Sequence, residues 1–284
     1  MTLVSPLSIL PTMVDDLARL EHELRGAVVA DDDFLSEIAS HLILAGGNRV
    51  RPGFTIAAGV THQAGAVPAR SEIGLGGVAV ELVHIGSLYH DDVMDEAEMR
   101  RTAPSVNARW GNHKAILAGD FLLARASEIA ASLGTEVAGL LARTIGDLCE
   151  GQVLELRHNF DVDRTEASYE VSIAGKTASL LAAACRIGGL TGSIPRADIE
   201  AVTEFGHTYG MAFQIVDDIL DVVATDEQLG KPAGHDLVEG AYNLPTLRAL
   251  AGPAGDELRT VLGEPISGER WERARELVRS GDAI

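Results

Sequence analysis

The chain has 284 residues, with 42 Asp and Glu against 23 Lys and Arg and a formal charge of −19. That balance excludes a uniform nucleic-acid-binding surface, and it means any anionic ligand must be met by local basic groups or metal ions. The hydrophobic share of 46% suffices for a buried core, and an aromatic share of only 4% favours packed helices over aromatic-rich strands.

Apolar periodicity predicts helices over 12–29, 33–45, 51–65, 70–95, 112–132, 135–158, 165–190, 195–224, 238–251 and 267–280. The N-terminal stretch MTLVSPLSILPTMVDD has neither a basic start nor a small-residue cleavage site, so it does not read as a secretory signal. Between the second and third helices, GGNRVRP supplies Arg49 and Arg51. The helix at 70–95 ends in YHDDVMDEAEMRR, with Asp91, Asp92 and Asp95 followed by Arg100 and Arg101. On it Val80, His84, Ser87, Asp91 and Asp95 share one face. Cys149 and Cys185 fall in apolar helical stretches and are read as buried thiols of a reducing compartment.

Further along, AGKTASL places Lys176 and Thr177 within a helix. In the helix at 195–224, Ile199, Val202, Phe205, Tyr209, Phe213, Val216 and Leu220 recur at steps of three and four, which predicts a buried stripe. FQIVDDILD then repeats the acidic pattern at Asp217, Asp218 and Asp221, bordering that stripe. Lys231 follows in a glycine-rich loop. No alternating strand pattern, composition shift or apolar run of membrane-spanning length appears, so one all-helical domain over residues 1–284, soluble and cytoplasmic, is expected.

Two carboxylates one turn apart repel, and crowding them beside an apolar face is costly without a compensating cation. Mg²⁺ suits such a pair, because it takes hard oxygens, accepts one or two protein carboxylates and leaves positions for phosphate oxygens. A single DDxxD is as readily a solvated helix end. Two copies, each followed by basic residues that can fork onto phosphates, weaken that reading. No G-x-S-x-G, Walker A, G-x-G-x-x-G or H-E-x-x-H pattern competes. His84, His90, His207 and His235 are read as hydrogen-bonded helical residues, not metal ligands.

These residues resemble the trans-isoprenyl diphosphate synthases, or polyprenyl synthetases. The resemblance runs through GGNRVRP at 46–52, ELVHIGSLYHDDVMDEAEMRR at 81–101, LAGDFLLARA at 117–126, GKTASL at 175–180, FQIVDDILD at 213–221 and GKPAGHDLVEGAYNLP at 230–245. It implies an all-α isoprenoid-synthase bundle around a deep cavity. It implies condensation of isopentenyl diphosphate with an allylic prenyl diphosphate by a chain acting mostly as a homodimer. It also implies that the six aspartates and Lys176 form the catalytic set, with Asp91, Asp95 and Asp217 as Mg²⁺ ligands. Arg100, Lys176, Thr177, Gln214 and Lys231 match positions on the allylic diphosphate. Arg51, His84 and Arg101 match positions on isopentenyl diphosphate, and Arg49 is counted with the substrate-binding set.

Asn48 and Ala241 stand where the family has lysines, Asn243 stands for a threonine and Thr102 for a glycine. The ending SGDAI comes earlier than in most of the family, which points to a truncated C-terminus or a missing lid. Gly86 and Ser87 are small at the positions where large aromatics stop chain growth early, so the floor is expected a turn deeper, near Val83 or Val80, and the product at geranylgeranyl length or longer. Two other readings remain: a regulatory or weakly active subunit of a heteromeric synthase, and a class I terpene cyclase.

Overall fold

The computed structural model describes residues 10–63, 66–100, 103–225 and 234–280. Its helices are α1 (Met13–Ala27), α2 (Asp33–Leu44), α3 (Val50–Gly59), α4 (Ser71–Met94), α5 (Val106–Trp110), α6 (Asn112–Ser132), α7 (Thr135–Arg157), α8 (Glu166–Ile173), α9 (Ser179–Gly192), α10 (Arg196–Val223), α11 (His235–Glu239), α12 (Leu244–Ala251), α13 (Gly255–Val261) and α14 (Glu269–Arg279). A π-helical turn, Ala174–Ala178, lies between α8 and α9. Among the described residues the only strands are Met99–Arg100 and Ala103–Pro104, paired antiparallel. The expected all-α class is what the chain adopts, and no described helix is long and apolar enough to cross a membrane.

Several helix starts carry a side-chain cap. Asp32 accepts from Leu35 N at 2.8 Å ahead of α2, Thr165 from Ser168 N at 3.1 Å ahead of α8, and Asn243 from Thr246 N at 3.3 Å ahead of α12. The last cap explains one departure from the expected pattern. Asn243 also donates to Asp236 Oδ2 at 3.0 Å, so an amide serves both as N-cap and as tether. The single helix expected over 238–251 is therefore two, separated at Gly240, whose φ of 73° favours glycine. The short helices α5 and α13 were not foreseen, because five and seven residues carry little periodicity.

The chain divides into two compact units. The first comprises Met1–Ile145 and Leu180–Gly206. Its centre is α4, apolar nearly all round, with Val78, Val80, Leu82, Val83, Ile85 and Tyr89 buried. The Tyr89 hydroxyl donates to Ile38 O at 2.8 Å, which satisfies the one polar atom that side chain brings into the core. The second unit comprises Gly146–Ser179 and His207–Ile284. Tyr169, Ile173, Val222, Leu237, Tyr242, Leu247, Leu258 and Leu277 form its core.

Two expectations are corrected here. Cys185 is buried, and burial pushes its thiol up to about 12, but Cys149 is exposed on α7. The stripe Phe205, Tyr209, Phe213, Val216 and Leu220 is exposed too, and only Ile199 of its members is fully buried. The reason is that α10 has two apolar faces. Met211, Ile215 and Val222 pack on the core of the second unit, and Asp218 lies on that same face.

Candidate active site

The first acidic motif closes α4 in the first unit. Asp95 N donates to Asp91 O at 2.8 Å, Asp95 is exposed, and Asp91 is half-buried. Asp92 points inward and is fully buried. The short hairpin beyond the helix folds Arg100 back onto it, with Nε 2.6 Å and Nη2 2.5 Å from Asp92 Oδ1. Asp92 Oδ2 is buried and accepts no hydrogen bond. Burial pushes the Asp92 carboxyl above its ordinary range, against the pull of the Arg100 guanidinium.

The second motif lies on α10 in the second unit; its second aspartate is again the more buried of the leading pair, but its third is buried where Asp95 is exposed. Asp217 is exposed on the apolar-stripe side, while Asp218 and Asp221 are buried. Asp218 Oδ1 accepts from Gln214 Nε2 at 2.8 Å, and Asp218 Oδ2 accepts from the Tyr169 hydroxyl at 2.5 Å. Gln214 Oε1 in turn accepts from Thr177 Oγ1 at 2.7 Å. Burial pushes Asp218 up to about 6, opposed by these two hydrogen bonds. Burial and the neighbouring carboxylate push the Tyr169 phenol well above its usual range, so it stays a donor. Asp221 O accepts from Gly234 N at 2.7 Å, and its Oδ2 from Asp236 N at 3.3 Å.

Lys176 and Thr177 sit in the π turn, where its backbone touches α7. A Cβ added at Gly151 would collide with Lys176 N, so only glycine fits the crossing. Lys176 Nζ pairs with Glu155 Oε2.

Among the expected substrate contacts, Arg51 and His84 are half-buried in the first unit. Arg49 is turned into the protein. It is 8% exposed, its Nε lies 2.8 Å from Glu21, its Nη1 2.9 Å from Glu81, and its Nη2 donates to Glu21 and to Ile43 O. Arg101 and Lys231 lie outside the described residues. Of the expected length-setting residues, Val83 is in the core and Ser87 is half-buried, with its hydroxyl donating to His84 O at 2.8 Å. Gly86 lies at a helix contact, where a Cβ would stand 3.2 Å from Gly119 O and 3.4 Å from Leu123 on α6.

Reading the sequence missed Tyr169, Arg164 and Glu155. The one available signal was that Tyr169 stands seven residues, about two turns, before Lys176. Among the described residues no three His, Cys, Asp or Glu side chains converge as a ready metal cage. Taken motif by motif, the donors are of the kind a hard divalent cation takes: half-buried Asp91, exposed Asp95 and the unsatisfied Asp92 Oδ2 in the first unit, and exposed Asp217 in the second.

The family model for polyprenyl synthetases matches residues 32–278. Component 2 of heptaprenyl diphosphate synthase from Geobacillus stearothermophilus is 43% identical over 238 residues, covering 84% of this chain and 73% of that protein. Nonaprenyl diphosphate synthase of Mycobacterium tuberculosis is 41% identical over 256 residues, covering 89% and 75%. The crystal structure of a polyprenyl synthase from Caulobacter crescentus, complexed with calcium and isoprenyl diphosphate, superposes with a TM-score of 0.88 at 34% identity, covering 96% of this chain and 84% of that one.

Proposed function

This chain belongs to the polyprenyl synthetase family, and we propose from that premise how its residues serve the reaction. It is a prenyltransferase, a trans-polyprenyl diphosphate synthase that extends an allylic diphosphate with isopentenyl diphosphate to long-chain products. The observation that carries the residue assignment is the shared build of the two motifs. In each, the second aspartate is buried against a donor and the first is less buried than its neighbour.

Asp91, Asp95 and Asp217 hold Mg²⁺ in this reading, and Asp92, Asp218 and Asp221 fix the backbone and charge behind them. When bound, the ions draw electron density from the allylic diphosphate and so favour ionisation of its C–O bond. Arg100, Lys176, Thr177 and Gln214 orient that diphosphate, with Lys231 from outside the described residues. Arg51 and His84, together with Arg101, hold isopentenyl diphosphate so that its double bond meets the allylic carbon. The double bond is itself the nucleophile, and the proton lost afterwards goes to the departing diphosphate, so neither a side-chain nucleophile nor a side-chain base is required. The exposed apolar side chains beside Asp217 support a hydrocarbon-binding wall better than a buried stripe would.

The family match over 32–278 supports one synthase domain. Two free thiols support a cytoplasmic location. Exposed Ile116 and Leu117 on α6 support a face for a second copy in a homodimer. The name of the Geobacillus relative, component 2, favours a second reading in which a different subunit is needed. Incubating the pure protein with Mg²⁺, isopentenyl diphosphate and farnesyl diphosphate tests the proposal. A chain-extended diphosphate supports it, a cyclised hydrocarbon overturns it, and product only on addition of a partner protein establishes the second reading.

A further inference from the structure

Asp218 is held by a network that reaches past the acidic motif. Its two oxygens are taken by Gln214 and by the Tyr169 hydroxyl. The Arg164 guanidinium lies over the Tyr169 ring, 5.7 Å from its centroid. Arg164 is 6% exposed and gives Nη1 to Tyr242 O at 3.3 Å, while its Nε and Nη2 are buried with no hydrogen-bond partner. A buried guanidinium with two idle nitrogens is not kept for its hydrogen bonds. What it offers is positive charge next to the carboxylates of Asp218, Asp161 and Glu155, the last of which also receives Lys176.

We propose that Tyr169 and Arg164 are positioning residues for prenyl transfer: Tyr169 locks Asp218 inward so that of these two neighbours only Asp217 faces outward, and Arg164 balances the charge of the locked carboxylate. The inference rests on the metal role given above to Asp217. The two aspartates are neighbours on one helix, and a carboxylate deprived of the Tyr169 donor has an unsatisfied buried oxygen. It then turns outward and adds a competing arm, or the helix rotates and carries Asp217 with it. Outer-shell partners of this kind typically set metal affinity by roughly 10–100-fold.

Tyr169→Phe keeps the ring under Arg164 and removes only the donor. Calorimetric titration of MgCl₂ with inorganic pyrophosphate, alongside steady-state kinetics, reads the outcome. Tyr169→Phe is expected to weaken binding of the magnesium–pyrophosphate pair by about tenfold. It should also raise the Mg²⁺ concentration at half-maximal rate and lower kcat, with KM for isopentenyl diphosphate unmoved. Arg164→Lys, which retains the charge, should stay nearer wild type than Arg164→Met. If Arg164→Met does not fold, the Tyr169→Phe and Arg164→Lys pair decides. Wild-type binding and unchanged Mg²⁺ dependence in Tyr169→Phe overturn the inference and leave the synthase assignment standing. A wild-type protein that neither binds magnesium–pyrophosphate nor turns over defeats both.

Discussion

Arg49 sits at a left-handed φ of 47° and commits every guanidinium nitrogen to an acceptor on the protein. Such backbone strain persists only where surrounding contacts over-determine it. Replacing Arg49 by Met strands Glu81 as a buried charge, so unfolding free energy should fall by about 3–5 kcal/mol in urea titrations. KM for isopentenyl diphosphate should not move. Glu21 gives the pH signature. Burial raises its carboxyl, but the hydrogen bond and charge of Arg49 outweigh that and hold it below its ordinary range. The stability this pair contributes is therefore present above about pH 4.3 and is lost as pH falls through the lower folded value. The gap in midpoint between wild type and Arg49→Met should close there. At the catalytic end, Asp217→Ala should cut kcat by about 10²–10³-fold, the scale of one preorganised electrostatic group. The six aspartates could be read from the sequence, because DDxxD is a local pattern. Which of them face inward could not, since that depends on Arg100 and Tyr169 arriving from other segments.

Among the elements, α10 shows how a correct periodicity can yield the wrong face. Both of its apolar stripes follow steps of three and four, and only the packing of Met211 and Ile215 on the second unit's core decides which is inside. Helix α4 makes a parallel case for adjacent small residues. Gly86 and Ser87 looked alike as length-setting positions, yet the Gly86 position abuts the α6 backbone at Gly119 O. Gly86→Phe should therefore overpack that contact and lower the melting temperature, at a cost of about 1–3 kcal/mol. Ser87→Phe should leave the fold intact and shorten the product on chromatography. An unshortened product would remove Ser87 from the hydrocarbon path. Long helices were legible to within a residue or two at most ends, but the π turn at 174–178 was not, since it arises from the Gly151–Gly175 approach of α7.

For the molecule as a whole, a charge of −19 must coexist with two phosphate-rich substrates. The described basic side chains near the motifs are partly engaged, Arg100 by Asp92 and Lys176 by Glu155, so protein charge alone is a poor lure for a diphosphate. Chelation by EDTA should therefore abolish turnover, and added Mg²⁺ should restore it in a radiolabel-incorporation assay. That expectation rests on composition and motif together. The partition of the chain into two compact units was not, because its boundaries at 145/146, 179/180 and 206/207 fall inside continuous helical runs and leave no mark in composition.

Helix α14 grips the end of α10 and the start of α11 through main-chain atoms: Arg275 donates to Val222 O and Ala224 O, Arg279 to Val223 O, and Trp271 to Gly234 O. A grip on carbonyls is indifferent to the identity of the residues that own them. Codon 223 is thus free to drift as far as this clasp is concerned, whereas Trp271 and Arg275 are not, and Gly234 is held to glycine by its φ of 69° and by Trp271 and Arg275 standing where a Cβ would lie. A library randomised at 223, 271 and 275 should return varied residues at 223 and near-invariant ones at 271 and 275.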